Sequence, residues 1–204
     1  MTAFRLSLFY AAYFAMIGIM MPFWPVWLEA KGLTPANIGL VIGSATFVRV
    51  FFNPLVAHVA DRRGTRQPIM ALMAVFAVIF FSFFFVTDNF WPILLVTILF
   101  SCCWGAMQPL GESLTMLSAK ENGFEYGRVR LWGSLAFIAT AIIAGRVLSD
   151  TTPDAIMVMI FASVVLMFAV TLFLPNMRTS KATGSSFPIA PLLRNKAFLL
   201  VLIA

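Results

Sequence analysis

Six apolar runs alternate with short polar breaks along this chain, at about residues 4–28, 36–60, 68–86, 91–117, 128–148 and 155–174. A helix needs about 20 mainly apolar residues to cross the hydrocarbon core of a bilayer, so each run predicts one membrane span. The first run ends in Pro22-Phe23-Trp24-Pro25-Val26-Trp27, and its two tryptophans suit a headgroup-level anchor. That run is too long for a signal peptide and has no small-residue cleavage site after a short core, so it reads as the first membrane helix. A polar stretch follows at 175–196, and a new apolar run occupies 197–204. The predicted fold is an all-α membrane protein. It comprises a six-span bundle at 1–174, a central loop at 175–196 and the truncated start of a seventh span at 197–204.

Composition agrees with that pattern. Hydrophobic residues make up 61% of the 204 positions and charged residues 11%, against about 45–50% and about 25% in soluble domains. The net charge of +6 would suggest nucleic acid in a soluble protein; in a membrane protein it reports orientation. The breaks on one side hold Arg5, Arg62, Arg63, Arg66, Lys120, Arg128, Arg130, Arg178, Lys181, Arg194 and Lys196, and those on the other hold Lys31 and Arg146. Eleven against two places the N-terminus and the 175–196 loop in the cytoplasm by the positive-inside rule. Cys102 and Cys103 are adjacent within an apolar run and indicate no disulfide framework.

A few polar groups break the apolar runs, and each is costly in hydrocarbon. Ser101, Gly105, Gln108, Glu112 and Thr115 recur at helical spacing and form one stripe of span four. Small residues such as Ser101 and Gly105 serve helix packing, but packing does not need the Glu112 carboxylate. Arg128 and Arg130 at the head of span five point about 200° apart. Arg128 suits snorkelling to headgroups, and Arg130 is the inward candidate, placed at the depth of Glu112 for an ion pair. Arg49 lies near the middle of span two with Asn53 one turn on, in a stripe with Gly39, Gly43, Thr46 and Ala57. Its partner stays open: Glu112, a backbone carbonyl, a group outside this chain or an anionic substrate. Tyr13, beside Tyr10 and Phe14 in span one, is a candidate substrate contact, and His58 falls at headgroup level. Gly18-Ile19-Met20-Met21-Pro22 and Gly105-Ala106-Met107-Gln108-Pro109 share Gly-x-Met-x-Pro, as inverted three-plus-three repeats would place it.

The chain carries no HExxH, no phosphate-binding GxxxxGK[ST] and no His/Cys cluster at metal spacing. With one histidine, a nucleophile–base pair has no support, so an enzyme is not expected and no cofactor or metal is implied. A non-transporting assembly protein, whose buried charges only set helix register, is the competing class.

Two motifs carry a resemblance. Asp61-Arg62-Arg63-Gly64-Thr65-Arg66 resembles the loop between spans two and three of the major facilitator superfamily, with Ala57 in place of the first glycine and Thr65 at a basic position. Glu112 and Arg130, eighteen residues apart, are similar to the sugar-binding acid and arginine of lactose permeases. The segments Met21-Pro22-Phe23-Trp24-Pro25-Val26-Trp27-Leu28, Gly32-Leu33-Thr34-Pro35 and Tyr126-Gly127-Arg128-Val129-Arg130-Leu131-Trp132-Gly133-Ser134 resemble the phenylpropionate permease branch. The resemblance implies the N-terminal half of a twelve-span, proton-coupled symporter in the bacterial inner (plasma) membrane. Its implied substrate is an aromatic carboxylate such as 3-phenylpropionate, with a sugar or nucleoside as the alternative. Glu112, Arg130, Arg49, Gln108, Asn53 and Tyr13 are the candidate substrate and proton site, and Asp61, Arg62, Gly64 and Arg66 the gating loop. The implied partners are a small-molecule substrate, the proton, membrane lipid and a C-terminal six-helix half, with no nucleic acid.

Overall fold

A computed structural model describes residues 1–177 of the chain. The expected loop residues 178–196 and the expected seventh span at 197–204 lie outside the described residues. Within them the chain forms α1 (Thr2–Ala30), α2 (Pro35–Arg63), α3 (Gln67–Ser82), α4 (Phe90–Asn122), α5 (Tyr126–Asp150) and α6 (Asp154–Leu172). All six are long and apolar enough to span a bilayer, α3 together with the turn that continues it to Val86. Helices satisfy every internal backbone group without water, which lipid requires. The expected spans match the helices to within a few residues, except that span three ends in a short 3₁₀ turn, Phe83–Val86.

The helix ends follow local chemistry. Thr34 caps α2 by accepting the Asn37 amide at 3.3 Å, and Pro35 occupies the first turn, where no amide is needed. Gly64 and Gly123 end α2 and α4 in the left-handed region at φ 66° and 68°, where a side chain is disfavoured. Pro22, Pro25, Pro54 and Pro109 sit inside helices.

Packing divides the bundle into two matching sets. α1 packs on α5 and α6, and α4 packs on α2 and α3, with α3 touching α6. Exchanging α1 with α4, α2 with α5 and α3 with α6 reproduces this neighbour pattern. The two Gly-x-Met-x-Pro glycines sit at equivalent seams. A methyl on Gly18 would strike Thr140 and the Phe137 carbonyl of α5, and one on Gly105 would strike Arg49 of α2. Small residues thus let backbones approach in lipid.

The core is aromatic near one end, where Trp24 stacks on Trp27 and Phe84 meets both edge-on. Lys31 and Asp88 tie that end together at 2.5 Å, and Gln67 donates to the Thr171 carbonyl at 3.3 Å at the other. Burial is uneven: 50% of the apolar stretch of α1 and 56% of that of α4 is buried, against 17% in α2 and 11% in α5. α1 and α4 are therefore the inner helices, and α2 and α5 present apolar faces outward.

Candidate functional site: a polar seam across the inner helices

The polar groups of α4 face the helices beside it. Gln108 donates from Nε2 to Glu112 Oε1 at 3.2 Å, one turn on, and accepts from the Tyr13 hydroxyl of α1 at a long 3.4 Å. This order fixes the amide: its nitrogen faces the carboxylate, which can only accept when ionised. Tyr13 is held in turn by Trp104, stacked at 5.1 Å with 8° between the rings. Trp104 lies one turn before Gln108 on the same face, a signal the sequence reading passed over. Gly111 lets the Phe9 ring lie against α4, and Thr115 turns back to the Gly111 carbonyl at 2.7 Å.

The two arginines of α5 separate as expected. Arg128 is exposed and pairs with Glu125 at 2.7 Å. Arg130 turns inward over Phe14, 4.0 Å from the ring centre, and 5.5 Å from that of Tyr10. Gly133 makes room for this, since a methyl there would sit 2.7 Å from Phe14 and 3.1 Å from Arg130. The expected Glu112–Arg130 ion pair does not form among the described residues. The guanidinium lies on the ring faces of α1, where a cation is attracted to the π-system, while the Gln108 amide takes the carboxylate.

Arg49 of α2 lies against Gly105, and among the described residues it makes no ion pair or hydrogen bond. Its Nε and the Asn53 Oδ1 are buried without partners. Glu112, Arg130 and Arg49 all lie within electrostatic reach of the Tyr13 hydroxyl. The structure thus brings four of the other five candidate residues around Tyr13, and Asn53 joins them through the Gly105 seam. By contrast, Gly39, Gly43 and Thr46 lie on the exposed face of α2, and nothing approaches Gly39 or Gly43 within 4 Å. His58 is exposed near the end of α2.

The loop after α2 forms its own unit. Arg66, 8% exposed, pairs with Asp61 at 2.9 Å. Gly64 reverses the chain between them, and Arg62 is exposed.

Six membrane helices, with ionisable groups of α2, α4 and α5 gathered around Tyr13 of α1, define a polytopic membrane protein of the carrier type, since such groups mark solute or ion pathways. The MFS_1 like family matches residues 3–198, and the chain belongs to this family of major facilitator transporters. It is 30% identical over 200 residues to a protein described as a probable 3-phenylpropionic acid transporter from Escherichia coli (strain K12), covering 95% of this chain and 53% of that one. It is 33% identical over 158 residues to a maltose permease of Geobacillus stearothermophilus, covering 76% of this chain and 39% of the permease. The crystal structure of the nucleoside transporter NupG superposes with a TM-score of 0.80 at 17% identity, over 99% of this chain and 53% of that one. The chain spans about half the length of these relatives. They are transporters, not enzymes.

Proposed function

We propose that the chain is the N-terminal six-helix half of a proton-coupled symporter for a small organic solute, an aromatic carboxylate such as 3-phenylpropionate. The observation that carries this reading is the state of Glu112 and Arg130. Among the described residues, the carboxylate is held only by the neutral Gln108 amide, and the guanidinium rests on rings with no acid bound to it. A carboxylate on an apolar membrane helix, held by one neutral donor and paired with no cation among the described residues, is the candidate carrier of the coupled proton. An arginine without an acid is ready for an anion, which it holds bidentately. Protonation of Glu112 removes the negative charge that would repel a substrate carboxylate arriving at Arg130. Release of both on the other side returns the site to its starting state. Tyr13 and Gln108 position the carboxylate, and rocking against a second six-helix unit exposes the site to each side in turn.

The remaining assignments follow from the same reading. On this reading the N-terminus is cytoplasmic, which the charge asymmetry supports, and the protein resides in the bacterial inner membrane. Asp61, Arg62, Gly64 and Arg66 form the gating loop at the boundary with the second unit. The E. coli relative favours the aromatic acid; the maltose permease supports a sugar as the second reading.

The test uses the full-length transporter in proteoliposomes. Glu112→Gln is expected to abolish uptake of 3-phenylpropionate driven by an inward proton gradient and to leave counterflow exchange. Normal acid-driven accumulation in that variant overturns the proton role. Uptake of maltose in place of 3-phenylpropionate selects the sugar reading. A Glu112→Ala/Arg130→Ala protein that keeps full function supports a role as an assembly protein.

A further inference from the structure

Arg49 lies beside the site around Glu112 but takes part in none of its hydrogen bonds or ion pairs. The interior acid is engaged by Gln108, and Asp61, Asp88 and Glu125 are paired with Arg66, Lys31 and Arg128. Glu29, Glu121, Asp150 and Asp154 lie at helix ends. Among the described residues no counter-charge pairs with this mid-helix cation, a costly arrangement in hydrocarbon, and its buried Nε donor lacks an acceptor.

The surroundings of Arg49 are specific. Its stem lies on Gly105, where an added methyl would come within 2.6 Å of Cγ and 3.0 Å of Cδ, so the glycine gives the stem its seat on α4. The side chain lines a cavity of about 360 Å³, within the roughly 300–1,000 Å³ of small-molecule pockets. α1 and α2 meet only lightly there. The walls include Ile17, Met20, Trp24, Ile42 and Thr46, and α4 contributes Thr97. Thr97 is 1% exposed and its hydroxyl has no partner. Thr115 and Thr140 elsewhere in the bundle return theirs to the carbonyl one turn back. One cation and one free hydroxyl in an apolar chamber with an indole wall match an amphiphilic monoanion. Glu112 lies seven residues beyond Gly105 on α4, about 10 Å along the axis, and the cavity extends the other way.

We infer that Arg49, Thr97 and this cavity form a second ligand site, for a small carboxylate with an apolar body, adjoining the Glu112/Arg130 site on its Gly105 side. Arg49 binds the carboxylate, Thr97 donates to it, and Trp24, Met20 and Ile42 take the apolar part. The inference borrows from the proposed function only the choice of probe.

A local reporter tests it in the full-length protein. Thr46→Cys is introduced in a Cys102→Ser/Cys103→Ser background, and the rate of alkylation by N-ethylmaleimide is followed, with Met21→Cys as a second reporter. 3-Phenylpropionate is expected to slow alkylation, and the uncharged 3-phenylpropanamide is not. Arg49→Gln is expected to raise the half-protecting concentration about tenfold or more, the loss of one charge-assisted contact. Arg49→Lys keeps the charge and is expected to retain protection, which decides the matter if the glutamine variant does not fold. Glu112→Gln/Arg130→Gln is expected to leave protection unchanged even where proton-linked uptake is lost, so the two readings fail separately. No slowing, equal slowing by the amide, or protection that survives Arg49→Gln overturns the site. So does protection that vanishes with the Glu112→Gln/Arg130→Gln change, which places the carboxylate at the central site alone.

Discussion

Gly18 and Gly105 hold equivalent places in the two halves of the bundle, yet what a methyl would meet differs. At Gly18 the obstacle includes backbone, with the Phe137 carbonyl at 2.5 Å and its Cα at 3.1 Å. Backbone in a packed helix cannot step aside, so Gly18→Ala is expected to cost about 1–3 kcal/mol, as overpacking does. At Gly105 the obstacle is the stem of Arg49, a half-buried and unpaired side chain that can swing away. Gly105→Ala also gains helix propensity, about 1 kcal/mol. Thermal unfolding in detergent should therefore rank Gly18→Ala well below Gly105→Ala, and the reverse order would show that the Arg49 stem is rigidly held. The same half-burial is why Arg49 is a puzzle on sequence alone: its spacing placed it inside the bundle but gave no sign of which neighbour it met.

The end of α2 sets the shape of the loop that follows. Gly64 takes φ 66°, its amide reaches the Ala60 carbonyl at 3.0 Å, and the chain then returns Arg66 to Asp61. A side chain in the left-handed region costs about 1–2 kcal/mol, so Gly64→Ala is expected to lower stability by that amount and to loosen the Asp61–Arg66 pair. Gly64→Asn should cost less, because asparagine tolerates this cap conformation. Chemical denaturation comparing the two variants checks this, and an asparagine variant no more stable than the alanine one contradicts the cap as the cause.

At this scale most of the fold was legible. Long apolar runs dictate helices, and Thr34-Pro35, Gly64 and Gly123 mark their ends. The site was legible as a stripe on α4 but not as a set of pairs. Period and depth place Glu112 and Arg130 near each other, and they do surround Tyr13. Whether they bond depends on competitors that spacing does not rank, here the Gln108 amide for the acid and the Phe14 and Tyr10 rings for the guanidinium. Thr97, one turn before Ser101, extends the same stripe and was readable by continuing it. Its importance was not, because only packing shows that its hydroxyl is unpartnered.

The whole molecule leaves two apolar faces uncovered in a symmetric way. α2 exposes Leu40, Phe47, Phe51 and Leu55, and α5 exposes Leu131, Trp132, Leu135 and Ile138. Lipid would cover such faces as well as protein would, but small residues tell them apart. Gly39 and Gly43 lie on the exposed part of α2 with open space before them, and glycine in a lipid-facing helix forfeits helix propensity of about 1 kcal/mol without return. Against another helix it returns close backbone contact. The relatives are about twice as long as this chain, and the proposed second six-helix unit supplies that helix. Gly43→Trp distinguishes the two coverings. In the six-helix chain alone the indole projects into detergent or lipid, which it tolerates well, and unfolding should be unchanged. In the full-length transporter the same indole stands in the moving seam between the two units, and uptake should fall at least about tenfold, as a displacement of even about 1 Å can cost far more than that. Full uptake by Gly43→Trp in the complete protein would assign the α2 face to lipid and move the boundary between the units elsewhere.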